Sequence, residues 1–198
     1  MPTILRTIPF DADLLPLVYD FDCAETEPPA FWEEEINEWI RQDPTEGDGA
    51  LFWLDQGKGT QVWLYADGHD AIVGYGALCP SRWPNPAVVV AVPKLKKIPI
   101  TLIPAVGIDR RFQRGPEGAE RAERYSTKIM NHLVFEARKH ADRQGWLGLY
   151  VHPRNEKAIR LYRRMQFRDF SQKYPHAKAG VEYPSMILRL ADYPQVEG

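Results

Sequence analysis

The chain is short of cysteine, of long apolar runs and of net charge, and each shortage excludes something. Its two cysteines, Cys23 and Cys79, stand far apart in 198 residues and follow no metal-ligand spacing, which excludes a disulfide-stapled scaffold and a cysteine-zinc module. No metal is expected. No apolar targeting segment follows Met1, and with so little cysteine this points to a reducing, cytoplasmic setting. The longest unbroken aliphatic stretch, Ala87 to Val92, is far too short to cross a bilayer, so no membrane role is expected. A formal net charge of −2 exerts no global pull on polyanions, so no nucleic-acid partner is expected either.

The residues that are present suit a folded enzyme-sized domain. Hydrophobic residues make up 44% and aromatics 12%, enough for a substantial core, and no linker, repeat or low-complexity stretch divides the chain, so residues 1–198 are read as one domain. Thr3 to Ile8 predicts a strand and Asp11 to Asp20 a helix capped by Asp11 or Asp13. The segment AFWEEEINEWIRQ spaces Phe31, Ile36, Trp39 and Ile40 near the helical period. Two β-rich runs around Asp67-Gly68 predict a hairpin. Val88 to Val92 reads as an extra strand, and ITLIPAVGID as another that ends at Asp109.

From Tyr125, the apolar positions Ile129, Met130, Leu133, Val134, Ala137 and Ala141 trace one helical stripe. Trp146 to Val151 follows as a strand, completing a strand-helix-strand unit that implies parallel pairing. Asn155 to Met165 predicts a helix, and Phe167 to Lys173 and Tyr183 to Leu190 predict two closing strands. The class is α+β, a mixed sheet with helices on its faces.

Two segments carry chemistry. The loop DRRFQRGPEGAERAERYSTK holds Arg110, Arg111, Arg114, Arg121 and Arg124 just ahead of a helix. Unpaired N–H groups, a positive dipole end and guanidinium forks together suit a pyrophosphate. The competing reading is a solvated loop paired with Glu117, Glu120 and Glu123. In LGLYVHPRNEKAIRLYRRMQF, Asn155 occupies an N-cap position and Ala158 and Tyr162 share a face four residues apart. A small residue followed by a polar-tipped aromatic leaves a slot beside the preceding strand. The alternative is a core tyrosine whose hydroxyl meets backbone.

The same segment resembles the strand-and-helix motif of the GNAT superfamily of acetyl-CoA-dependent N-acyltransferases, L-x-V-x-x-x-N-x-x-A-x-x-x-Y-x-x-x-G-F. Leu149, Val151, Asn155, Ala158, Tyr162 and Phe167 match it, and AVGIDRRFQ is similar to that family's central strand and its exit. Two departures stand out. Pro116 takes the place of the first loop glycine, which implies a lengthened loop with the next helix starting near Tyr125 and Ser126. Gln166 replaces the glycine that ends the motif helix, at a cost of about 1 kcal/mol if it is left-handed.

The resemblance implies a mixed, mostly antiparallel sheet with a central splayed parallel strand pair and helices on both faces. It implies an N-acyltransferase that moves an acetyl or similar group from acetyl-CoA to a primary amine, with no metal. Tyr162 would be the general acid and Asp109 is the first candidate base, with Glu33, Glu34, Glu35, Glu182 and Tyr183 behind it and His152 and His176 weaker still. Val106, Gly107, Ile108, Gln113, Arg114, Gly115, Arg124, Tyr125, Ser126, Thr127, Asn155 and Ala158 would hold the cofactor. The expected acceptor is a small-molecule or peptide amine, and a homodimer is the default assembly. The alternative function is a catalytically degenerate acyl-CoA sensor or interaction module. A nucleic-acid-binding domain built on the arginine cluster is set aside because glutamates interleave it.

Overall fold

The computed structural model describes residues 5–25, 27–42, 49–56, 59–84, 97–113, 124–140, 145–176 and 181–194, with backbone alone for 171–176. The start of the first strand at Thr3, the strand expected at Val88 to Val92 and the loop from Arg114 to Glu123 lie outside the described residues. In chain order the elements are β1 (Arg6–Pro9), a 3₁₀ turn (Ala12–Val18), α1 (Phe31–Arg41), α2 (Ala50–Asp55), β2 (Gln61–Ala66) and β3 (Ile72–Pro84). They continue as β4 (Lys97–Ile103), β5 (Val106–Ile108), α3 (Tyr125–Arg138), β6 (Trp146–Tyr150), α4 (Glu156–Arg164), β7 (Arg168–His176) and β8 (Val181–Arg189). Among the described residues no helix is long and apolar enough to cross a membrane.

The chain forms two compact units, one from Met1–Cys79 with Ala105–Leu133, the other from Pro80–Pro104 with Val134–Gly198. They interleave along the sequence, so no single cut separates them. In the first unit β1, β2 and β3 pair antiparallel in order, and β5 pairs β3. Asp67 builds the β2–β3 turn by accepting from the N–H groups of His69 (2.9 Å) and Ala71 (3.0 Å). The expected Asp67-Gly68 hairpin is present, but Asp70, at φ 63°, takes the left-handed position. Phe10, Val18, Phe21, Ile40, Leu64 and Tyr75 pack as this unit's core.

In the second unit β4 pairs β6 in parallel, and β6, β8 and β7 follow antiparallel. The parallel ladder runs from Thr101↔Leu147 to Ile103↔Leu149. ITLIPAVGID is therefore two strands, not one: Pro104 lacks an N–H and cannot continue a ladder, and the next three strand residues pair with β3 instead. Trp83 is the centre of the second core, stacked on Phe170 at 5.6 Å and tilted against Tyr150 at 5.1 Å. Only glycine fits opposite it, because a Cβ on Gly148 would meet Trp83 ring carbons at 2.7 and 2.8 Å. The mixed, mostly antiparallel sheet with one parallel pair and flanking helices is the architecture the sequence implies.

Candidate active site

The site begins with a helix that is closed at both ends. At its start Asn155 Oδ1 accepts from the Ala158 N–H at 3.1 Å, the cap its position predicts. At its end the Gln166 N–H donates to Arg163 O (3.0 Å) and the Phe167 N–H donates to Tyr162 O (3.0 Å). Gln166 itself is left-handed at φ 68°. This is a Schellman closure with glutamine where glycine would be unstrained, and its apolar contact is the Tyr162 ring against Phe167 at 5.9 Å. The two caps hold Tyr162 on the inner face of α4.

Tyr162 is only 7% exposed, and burial pushes its phenol up to about 12. Among the described residues nothing hydrogen-bonds its hydroxyl. Buried tyrosine hydroxyls ordinarily find a partner. Here the ring is packed in place but the hydroxyl is not among the fully enclosed polar atoms, and it stays a neutral O–H donor without a partner among the described residues. Ala158, half-buried, lies one turn before it on the same face.

Asp109, the other catalytic candidate, is 1% exposed and surrounded by donors. One oxygen accepts from the Arg111 N–H (3.0 Å) and Nε (2.8 Å), and the other accepts from Arg111 Nη2 (2.9 Å) and from the Asp22 N–H (3.4 Å). Its neighbour Asp22 accepts from the Ala24 N–H (2.9 Å) and Asn37 Nδ2 (3.0 Å) and pairs with Arg110 at 3.3 Å. Burial works to raise the Asp22 carboxyl, but those hydrogen bonds and the charges of Arg110 and Arg41 hold it below the usual carboxylate range. Glu33 accepts from the N–H groups of Glu25 (3.0 Å) and Ala30 (2.8 Å) at the start of α1, whereas Glu34 is exposed.

Asn37 completes the cluster, with its Oδ1 accepting from the Cys23 N–H at 2.8 Å. Neither Asp22 nor Asn37 stands out in the sequence as functional. The available signal is Glu33 and Asn37, four apart on the stripe that holds Ile36 and Ile40, which makes a polar pair on a buried face. The stripe expected through Phe31 shifts accordingly, since Phe31 is exposed and Glu33, Asn37 and Ile40 are buried. Cys23 and Cys79 are pushed up to about 12 by burial, Cys23 also by Glu33 and Asp22, so neither is a thiolate nucleophile at neutral pH.

The expected cofactor residues divide in two. Tyr75 is paired with Gly107, between the bonds from the Ala77 N–H to Ala105 O (3.1 Å) and from the Asp109 N–H to Val73 O (2.9 Å). In an antiparallel ladder this alternation turns the Gly107 backbone toward β3 and the N–H groups of Val106 and Ile108 to the opposite edge of β5. Gly107 is thus a packing residue, its Cβ position filled by Tyr75 (2.7 Å) and Ile36 (2.8 Å). Gln113 also turns inward, its amide donating to Cys23 O (2.7 Å) and Ile108 O (3.3 Å).

The start of α3 is where the lengthened-loop reading puts it, at Tyr125. The Thr127 and Lys128 N–H groups donate to Arg124 O, at 3.0 and 3.1 Å, which leaves the Tyr125 and Ser126 N–H groups without a partner inside the helix. Arg124 is exposed, Ser126 and Thr127 half-buried. Arg114 and Gly115 lie outside the described residues.

His152, 8% exposed, accepts the Arg154 N–H at Nδ1 (3.2 Å) and meets Tyr183 edge-on at 5.2 Å. His132 pairs with the Tyr65 hydroxyl at 2.9 Å. The side chain of His176 is outside the described residues. Among the described residues no group of three His, Cys, Asp or Glu is placed to hold a metal ion.

No protein-family model and no curated protein matches the chain. Solved structures do. AtaTR bound with acetyl-CoA has 17% identity and a TM-score of 0.62, covering 94% of each chain. AtaT complexed with acetyl-methionyl-tRNAfMet has 17% identity and a TM-score of 0.57, covering 95% of this chain and 96% of that one. A KacTA–DNA complex has 15% identity and a TM-score of 0.57, covering 95% and 94%.

Two of these neighbours are complexes with nucleic acid, which overturns the exclusion of nucleic acid and the expectation of a small-molecule or peptide acceptor. Net charge misled because it averages over the surface: Arg154, Lys157, Arg160, Arg163, Arg164 and Arg168 crowd one helix and its flanks within a chain of charge −2. At these identities the likeness establishes architecture, and the chain has the GNAT-like fold of the AtaT and KacT structures.

Proposed function

We propose that this chain is an N-acyltransferase that moves acetyl from acetyl-CoA to the α-amino group of an amino acid carried on tRNA. The observation that carries the reading is Tyr162: the residue is buried, its phenol is pushed up to about 12 and stays neutral, and its hydroxyl has no hydrogen-bond partner among the described residues. Bound acetyl-CoA would supply an acyl group activated as a thioester. The outward N–H groups of Val106 and Ile108 suit an extended amide-bearing arm taken up as an added strand. The open N–H groups of Tyr125 and Ser126 suit its phosphates, and the Asn155 cap keeps Tyr162 in place.

With its phenol near 12 and a thiol near 8.5, full proton transfer from Tyr162 to a departing thiolate is uphill by about 5 kcal/mol. Tyr162 therefore acts by donating a hydrogen bond to sulfur as charge develops there, not by giving up its proton outright. We further propose that Asp109 is an anchor for the 109–113 turn, since both of its oxygens are occupied. Glu33 is committed in the same way.

The loss of these strong base candidates favours an acceptor that needs little help. An α-amine of pKa near 8 is roughly a tenth unprotonated at neutral pH, against less than about one in a thousand for a lysine-type amine. The neighbour solved with acetyl-methionyl-tRNAfMet supports that choice. The test is to supply acetyl-CoA with charged and uncharged tRNA and to follow both free thiol and acetylated aminoacyl ester. Product from charged tRNA alone is the expected result, and thiol release no faster than without protein would overturn the reading.

A further inference from the structure

We propose that the outer face of α4 is a docking surface for RNA phosphates, the part of the molecule that holds the body of the tRNA while its charged end is modified. The inference rests on the acceptor reading above. At about 100° per residue, Lys157, Arg160, Arg163 and Arg164 fall within an arc of about 120°. Tyr162, Met165, Ala158, Leu161 and Ile159 occupy the remaining, buried or half-buried side. Arg154 before the helix and Arg168 after it extend the cationic run, and all six basic side chains are exposed.

The arrangement is poor helix design for its own sake. Lys157–Arg160, Arg160–Arg163 and Arg160–Arg164 are like-charge neighbours at spacings that destabilise a helix, and Arg154 and Lys157 sit at the end where cations oppose the macrodipole. Glu156 pairs with Arg160 at 3.0 Å and Asp169 with Arg163 at 3.0 Å, exposed pairs that a phosphate can displace at little cost. Arg168 lies over the Trp146 indole at 5.4 Å, which holds one guanidinium against the face of a ring. A polyanion is the occupant that matches this charge, and RNA is the polyanion to which the proposed acceptor is attached.

The experiment compares the intact chain with a variant carrying Lys157→Gln, Arg160→Gln, Arg164→Gln and Arg168→Gln, none of which is placed in the acyl-transfer machinery. Binding of uncharged tRNA is measured without acetyl-CoA across a salt series. We expect affinity to fall by about ten- to a hundredfold at physiological salt and the log–log salt slope to shrink by about 3. Thermal stability should be unchanged or higher because the like-charge repulsion is relieved. Lysine at Arg160, Arg164 and Arg168 should restore most of the binding, since a phosphate accepts a point charge.

Equal affinity and slope for the two proteins, or no tRNA binding by the intact chain, would overturn the docking surface. So would a loss confined to duplex DNA. Absence of acetyl transfer with normal tRNA binding would instead overturn the acceptor reading and leave the surface standing.

Discussion

Asp109 and Tyr162 are both buried polar side chains, and their surroundings are opposite. Asp109 has four donors on two oxygens and belongs to a cluster with Arg111, Asp22, Asn37 and Arg110 in which each carboxylate is satisfied. Tyr162 has a well-packed ring and a hydroxyl that nothing among the described residues engages. A fully bonded buried network stiffens a fold and is costly to disturb. A hydroxyl that bonds to nothing among the described residues adds little to the fold, and this is the ground on which a chemical role is proposed for it. Similar burial accompanies a fully bonded side chain in one case and an unbonded hydroxyl in the other.

The contrast can be broken most sharply at Tyr162. Tyr162→Phe should lower turnover about ten- to a thousandfold, equivalent to about 1.4–4 kcal/mol of barrier, with acetyl-CoA binding and melting temperature essentially kept. A drop in melting temperature with full turnover would mean that the hydroxyl is structural after all. Next in size is Asp109→Asn, which turns a buried amide NH2 against donors that now meet a carboxylate oxygen and should cost about 1–3 kcal/mol in denaturant unfolding. Turnover of the folded fraction should stay within about threefold, and collapse of turnover at unchanged stability would restore Asp109 as the base.

The alkaline limb gives a smaller and more selective readout. A tyrosine near 10 in the unfolded chain and about 12 when folded is neutral in both states below pH 10 and makes no pH-dependent difference there. Stability is lost as pH rises from about 10 to 12, because only the unfolded state ionises. Tyr162→Phe should flatten that part of the stability profile, and an unchanged profile would show that the phenol is not desolvated. Smallest is Gln166→Gly, which relieves a left-handed glutamine and should add up to about 1 kcal/mol to stability without changing turnover. A loss of stability there would show that the Gln166 side chain supports the end of α4.

Local patterns carried much of this into view. The Asn155 cap, the left-handed Gln166, the α3 start at Tyr125 and the β2–β3 hairpin each depend on residues a few positions apart, and each was legible. The six basic residues around α4 were equally visible, but the whole-chain charge of −2 averages them out. Helix α2 had no periodic signal in six residues. The split of ITLIPAVGID could be suspected from Pro104, but which partner each half takes is a tertiary choice.

From the sequence alone came the elements, the caps and the face that Tyr162 and Ala158 share, because these follow from bonds and periodicities within one or two turns. Only the tertiary structure decided which buried polar groups were satisfied. Asp109 meets Asp22 across 87 positions of chain, and Gln113 meets Cys23 across 90, distances over which no local pattern can report a hydrogen bond. The same is true of the Tyr162 hydroxyl, since a missing partner is a property of everything packed around it.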